Sequence, residues 1–220
     1  MKIGDKAKNA ILNVIGVLFL VWGIAAVLNS LYLLNPNQIF WNCYIGLLLL
    51  GIGILIRNSK LVGAQLAILG IPLIVWDIDF IYYLVFNDSL WGITDYIFLT
   101  QRLAVSQIIS LQHLFTLPVG VFALYLMRVK RFDFWKVALV QVSLLFVVIS
   151  VMTSPYENIG CVFESCLSVD ISVASHIPYK VLWFVSFLGM IFIMNFILWR
   201  LRFLRDSKVE KEMFGKGRFK

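Results

Sequence analysis

The chain has 220 residues, of which 61% are hydrophobic and 14% charged, with a formal net charge of +7 and a mean hydropathy of +0.90. A soluble domain carries about 25% charged and about 45–50% apolar residues, so a water-soluble globule is excluded as the expected class. The excess apolar residues lie in long uncharged runs without strict alternation, which selects membrane-spanning helices over the alternating segments of a barrel.

Six runs follow in chain order: 10–34, 39–56, 61–86, 103–127, 137–153 and 181–199. The expected fold is therefore all-α, a polytopic membrane protein with one transmembrane domain over residues 1–220. The first run follows Lys2, Lys6 and Lys8 in the manner of a signal peptide. It exceeds the usual apolar signal core and no small-residue cleavage site ends it, so it reads as a retained helix. The fifth run is short for a bilayer of about 30 Å and is expected to extend at either end.

Basic residues set the orientation. Three precede the first run, two (Arg57, Lys60) separate the second from the third, and four separate the fourth from the fifth. Eight follow the sixth, making 17 of the 19 on one side and leaving Arg102 and Lys180 on the other. The positive-inside rule then places both termini in the cytoplasm, in the plasma membrane. Topology thus explains the net charge, and nucleic-acid binding is not expected. Residues 200–220 form a basic cytoplasmic tail, expected to prolong the sixth helix. Membrane lipids, anionic headgroups among them, are its natural partners. A protein partner or a second copy of the chain is equally compatible with the sequence.

Small and hydroxyl residues mark packing faces: Asn13, Gly16, Gly23 and Ser30 in the first run, Gly46, Gly51 and Gly53 in the second, Ser143 and Ser150 in the fifth. Asp77, Asp79, Asp88, Asp95, Glu157, Glu164 and Asp170 sort to the non-cytoplasmic half, as do all three cysteines. Cys161 and Cys166, in the long loop before the sixth run, are a candidate disulfide. Asn87-Asp88-Ser89 matches a glycosylation acceptor, a pattern common by chance.

The third and fourth runs carry the chemistry. The stretch IVWDIDFIYYLVF sets Asp77 and Asp79 in apolar surroundings, five and seven residues after Pro72, which frees the Ile68 carbonyl. VSQIISLQHLFTLPVG puts Ser106, Ser110, His113 and Thr116 on one helical face, with Pro118 freeing the Leu114 carbonyl. Asp77 lies about 13 Å inside Phe86 and His113 about 15 Å from Leu103, so the two reach similar depth. The expected site is an outward-opening polar cavity. Asp77, His113 and Ser110 are its candidate catalytic residues; Asp79, Asp95, Ser106, Glu157 and Asn158 are its candidate ligand-binding residues. A hydrogen-bonded pair that merely fixes the two helices together is the competing structural role.

Three function classes remain open. A membrane-embedded site for a small polar or lipid-headgroup ligand, with or without catalysis, uses Asp77 and His113 as carboxylate and base. A proton- or cation-coupled transporter uses the same groups and the proline-interrupted helices. A non-catalytic subunit or scaffold needs neither. A metal site would draw on His113 and His176, but H-E-x-x-H is absent; so are G-x-G-x-x-G, the P-loop and C-x-x-C-H, and no cofactor is indicated.

The patches WDIDF, GITDYIF, SLQHLFTLP and ENIGCVF, in that order, resemble recurring patches in a family of small uncharacterised prokaryotic membrane proteins. The last patch departs from the family's usual E-N-I-N. The resemblance spans the third run to the loop after the fifth and implies no activity. It covers Asp77, Asp79, Asp95, His113 and Asn158.

Overall fold

A computed structural model describes residues 4–98, 104–167 and 178–206. Its helices are α1 (Asp5–Tyr32), α2 (Asn42–Leu55), α3 (Ser59–Phe86), α4 (Asp95–Phe98), α5 (Ala104–Ser110), α6 (Gln112–Met127), α7 (Phe134–Met152) and α8 (Tyr179–Arg200). Among the described residues the fold is all-helical, with one isolated bridge between Val129 and Arg205. Five helical segments are long and apolar enough to cross a membrane: α1, α3, α5 with α6, α7 and α8. α2 is the exception. Its 14 residues reach about 21 Å at 1.5 Å per residue, short of a hydrocarbon core of about 30 Å. The expected run 39–56 is cut because Trp41 is extended (ψ 129°), and a 3₁₀ turn, Pro36–Phe40, precedes it.

Other boundaries shift for local reasons. α1 starts at Asp5 and ends before Leu34, whose φ of 55° leaves the helical region. α7 gains a turn at its start and runs from Phe134, as the short fifth run required. The fourth run is two helices, broken at Leu111. The sixth helix stops at Arg200; through Asp206 the tail does not prolong it but turns back, with Val129 N–H donating to the Leu204 carbonyl (2.7 Å) and Asp206 N–H to the Val129 carbonyl (3.0 Å). Tail residues 207–220 lie outside the described residues.

α3 is the axis of the bundle, touching α2, α6, α7 and α8, and its residues 62–70 are all buried. One apolar cluster on its flank joins Val62 and Leu66 to Leu12, Leu47, Leu124 and Met194; a second joins Ile68, Leu69 and Leu73 to Val142, Ile149, Trp183 and Ile191. Gln65 and Gln141 exchange two amide hydrogen bonds (2.7 and 3.0 Å) between α3 and α7. The outward faces of α1, α7 and α8 are apolar, with Val14, Leu18, Val21, Val140, Leu144, Val147, Val185 and Phe196 all more than half exposed.

Glycine sets the closest contact. A Cβ on Gly51 of α2 would lie 2.8 Å from the Leu20 backbone nitrogen and 2.9 Å from the Gly16 carbonyl oxygen of α1, and neither backbone atom can yield. Gly51→Ala is expected to destabilise the fold by about 1–3 kcal/mol as an overpacked contact. Gly189→Ala, with nothing within 4 Å of its Cβ, is expected to be neutral or slightly stabilising. Thermal unfolding of the two variants in one detergent checks the contrast.

The loops sort into two ends. One holds Arg57, Lys60, Arg128, Arg131, Asp133 and Arg205; the other holds residues 33–41, 87–98 and 153–167. At the basic end, Asp133 before α7 pairs with Lys60 before α3 (3.0 Å) and with Arg131 (3.7 Å). Burial pushes the Asp133 carboxyl up, but the hydrogen bond and charge of Lys60 and the charge of Arg131 outweigh it and hold the group below its ordinary range. Its stabilisation is fully present above the unfolded value of about 3.9 and is lost as the pH falls through the lower folded value. Asp133→Asn is expected to lower the unfolding midpoint at neutral pH and to converge with wild type in acid. A pH series of midpoints for both proteins checks this.

Candidate functional site

Pro118 has no N–H to give the Leu114 carbonyl, and the helix breaks seven residues earlier, at Leu111. There the Leu114 N–H turns to the Leu111 carbonyl (3.2 Å), a tightened turn that deprives the Ser110 carbonyl of its usual donor. His113 takes that place, with Nδ1 2.6 Å from the Ser110 carbonyl oxygen. Because a carbonyl only accepts, Nδ1 carries the ring proton. Nε2 is then free to accept from the Gln112 side-chain amide (3.1 Å). The Gln112 Oε1 accepts from the Thr116 hydroxyl (2.7 Å), which completes a chain from Thr116 through Gln112 and His113 to Ser110.

This chain is not the expected catalytic arrangement. The Ser110 hydroxyl donates to the Ser106 carbonyl (3.0 Å) rather than to His113, so no base activates it. The Ser106 hydroxyl accepts from Asn29 of α1 (3.1 Å), and the Trp22 indole N–H donates to the Ile109 carbonyl (3.1 Å). These groups fasten the broken helix to α1.

Across from the break, the ring stacked on His113 belongs to Trp76, with centroids 4.5 Å apart and planes at 19°. Trp76 also stacks on Phe80 (5.1 Å) and donates its indole N–H to the Tyr96 hydroxyl (3.1 Å). The expected Asp77–His113 pair is not formed. Residue 76 reaches the imidazole, and residue 77 is turned about 100° away around α3.

Asp79 is fully buried. Its carboxylate accepts from the backbone N–H groups of Trp91 (2.7 Å) and Thr94 (2.9 Å) and from the Thr94 hydroxyl (2.8 Å). Asn87, in the left-handed region (φ 53°), ends α3, and Gly92 (φ 77°) turns the chain so that residues 91–94 fold back over Asp79. Asp95 is exposed at the start of α4.

Asp77 is different. Among the described residues it has no hydrogen-bond or ion-pair partner, and its Oδ1 is buried. Among the described residues Asn42, Ser150 and Asn195 also leave a buried oxygen unpartnered, but those groups are neutral; Asp133 leaves Oδ1 so as well, but its other carboxylate oxygen is paired with Lys60 and Arg131. Asp77 is the carboxyl in this state inside an apolar helix.

Glu157 and Asn158 sit in the loop after α7, apart from this cluster. Glu157 accepts from Asn37 (2.7 Å) and from the Ser154 N–H (2.8 Å) and hydroxyl (3.1 Å); the Ser154 N–H foremost, then Asn37, hold its carboxyl below the ordinary range. Asn158, left-handed at φ 41°, accepts from the N–H groups of Phe163 and Glu164 (3.1 Å each). Cys161 and Cys166 are joined by a disulfide with Cα atoms 5.5 Å apart. Trp183 and Tyr179 of α8 donate to the Gly160 and Cys161 carbonyls (2.9 and 3.0 Å), which pins this loop to the bundle. Cys43 is a free thiol.

Among the described residues no three His, Cys, Asp or Glu side chains come together as a metal site. Asp170 and His176 fall outside the described residues. The contributors that the sequence did not flag are Trp76, Thr94, Gln112 and Asn29. Gln112, four residues before Thr116 and beside His113, carried a readable signal; the others depend on tertiary contact.

The chain matches no family model, and no curated protein or solved structure is significantly similar to it.

Removing the Asp79 carboxylate leaves buried donors at Trp91 and Thr94 unsatisfied, each at a cost of about 1–3 kcal/mol. Asp79→Ala is therefore expected to destabilise the fold and to release residues 87–94 selectively. Hydrogen exchange followed by peptide mass analysis checks it, with residues 134–152 as the internal reference.

Proposed function

We propose that the chain is a multi-pass integral membrane protein with both termini in the cytoplasm, and that it works by holding a proton or a small cation at Asp77. The insertion is supported by five apolar helical segments of spanning length and by their apolar outward faces, which suit hydrocarbon. The orientation is supported by the gathering of Arg57, Lys60, Arg128, Arg131 and Arg205 at one end of the bundle. Asp77 then lies about 13 Å from the opposite end of α3.

One observation carries the site. Asp77 presents a carboxyl in the apolar part of α3 with a buried oxygen and no partner among the described residues, while Asp79, two residues on, is fully hydrogen-bonded. An unpaired carboxylate at the centre of a bilayer costs about 2.5–3.5 kcal/mol on insertion scales, and ionisable groups kept there serve ion, proton or substrate paths. The group needs a neutralising positive charge, and a proton or bound cation supplies it. This favours cation- or proton-coupled action over hydrolysis, since His113 and Ser110 are both committed to backbone carbonyls.

A hydrophobic carbodiimide tests the site, because it adds covalently to protonated carboxyls that it can reach from an apolar phase. In folded protein Asp77 is expected to be modified while Asp79 is spared. The modification is expected to slow as pH rises or as the bound cation is added, and to disappear in Asp77→Asn. An unmodified Asp77 across the same pH range, in protein whose unfolding midpoint is normal, would overturn the reading.

A further inference from the structure

The turn that ends α8 encloses a recess of about 530 Å³, lined by Trp199, Arg200, Leu201, Arg202, Phe203 and Arg205. Among the described residues that line it, three are arginines and none is acidic. The recess has a built frame. Arg205, only 3% exposed, donates to the Trp199 carbonyl (2.6 Å) with its guanidinium 5.1 Å from the Trp199 ring. Arg128 donates to the Phe203 carbonyl (2.8 Å), and the Val129–Arg205 bridge ties the turn to the segment after α6. Arg200 and Arg202 are exposed at its rim.

The surface leading into the recess is apolar. Phe192, Ile193 and Phe196 of α8 are about half exposed, and Phe196 packs near Trp199 in a tilted contact, with centroids 5.7 Å apart and planes at 33°. Guanidinium groups match phosphate oxygens in geometry and charge. An exposed apolar stripe running into an arginine recess next to a tryptophan matches a molecule with a phosphate at one end and hydrocarbon at the other.

We propose that this recess binds the phosphate of an anionic phospholipid, with Arg200 and Arg202 at the headgroup and the Phe192–Phe196 face of α8 against its acyl chains. The inference rests on the multi-pass membrane reading but not on Asp77. A lipid seated here would bear on α8 and, through Arg128 and Val129, on the end of α6.

Native mass spectrometry of the full chain in detergent, titrated with phosphatidylglycerol or phosphatidylcholine, tests it. Phosphatidylglycerol is expected to bind preferentially. In R200Q/R202Q that binding should fall by roughly 30-fold, as expected for two surface charges of about 1 kcal/mol each. R200K/R202K should keep most of it, and K6Q/K8Q and Asp77→Asn should keep all of it. Unfolding midpoints close to wild type show that the arginine variants fold. Equal binding of the two lipids, or equal loss in K6Q/K8Q, would overturn the proposal. So would inorganic phosphate displacing the lipid at equal concentration, because the acyl chains would then contribute nothing. A protein that stays soluble without detergent would overturn the membrane reading itself, whereas a detergent-dependent protein without lipid preference overturns this site alone.

Discussion

A polar atom on a helix packed among apolar side chains has no water to turn to, so it must find its partner within the protein. That requirement organises the bundle around α3. Gln65 meets Gln141 in a reciprocal amide pair, and Asp79 draws two backbone N–H groups and a hydroxyl over itself. Trp76 finds the Tyr96 hydroxyl, and Trp22 finds the Ile109 carbonyl. The same requirement explains why the 87–94 loop is folded against the bundle. Its backbone donors are the partners that a buried carboxylate needs, and the carboxylate is the acceptor that they need. Asp77 stands out against this background because the requirement is met almost everywhere around it.

The break at Leu111 follows the same logic. A helix that carries a proline at position 118 and changes turn at position 111 exposes carbonyl groups. Here the freed Ser110 carbonyl is taken by the His113 ring three residues later, and Gln112 and Thr116 extend the chain of donors. His113 therefore spends its donor on its own backbone. Its other face stacks on Trp76, which joins α6 to α3 by a ring contact rather than an ion pair. The histidine's position beside α3 and its lack of contact with Asp77 have one cause, since the ring that caps Ser110 is also held by Trp76.

Much of this was legible in the sequence where the signal was one-dimensional. Run lengths located every long helix, and the lysine and arginine positions separated the two ends of the bundle. The depths of residues near 77 and 113, counted from the helix ends, agree with the 4.5 Å contact between residues 76 and 113. What failed was rotation. One residue is about 100° of helix, and a proline five residues upstream leaves the azimuth open to shift. Asp79 was unreadable for another reason: its partners lie 12 and 15 residues away in a loop whose path depends on Gly92 and Asn87. The shortness of α2 was hidden because Ile39 and Phe40, at the end of a 3₁₀ turn, and the extended Trp41 are as apolar as the helix that follows them.

That shortness bears on how the ends of the molecule differ. At the basic end α2 passes to α3 through Arg57 (φ 57°), whose guanidinium also donates to the Asn9 carbonyl and to Asn13 of α1. This joint locks three helices at one level. At the other end α2 starts late, and the space above it is filled by the 3₁₀ turn 36–40, where Asn37 bonds Glu157 of the disulfide-bearing loop. The short helix thus leaves one end of the bundle to be closed by loops, each tied down by a side chain: Asp79 for residues 91–94, Glu157 and Asn158 for residues 153–164, Trp183 for Gly160. Closure by loops rather than by helix ends permits that end to open locally without unpacking α3, since loop contacts are the low-stability part of a fold. Asp77 lies nearer that end than the basic one, two residues below the carboxylate that holds the 91–94 loop. Any movement that brings water or an ion to Asp77 therefore has Asp79 and its loop as the first contacts to break.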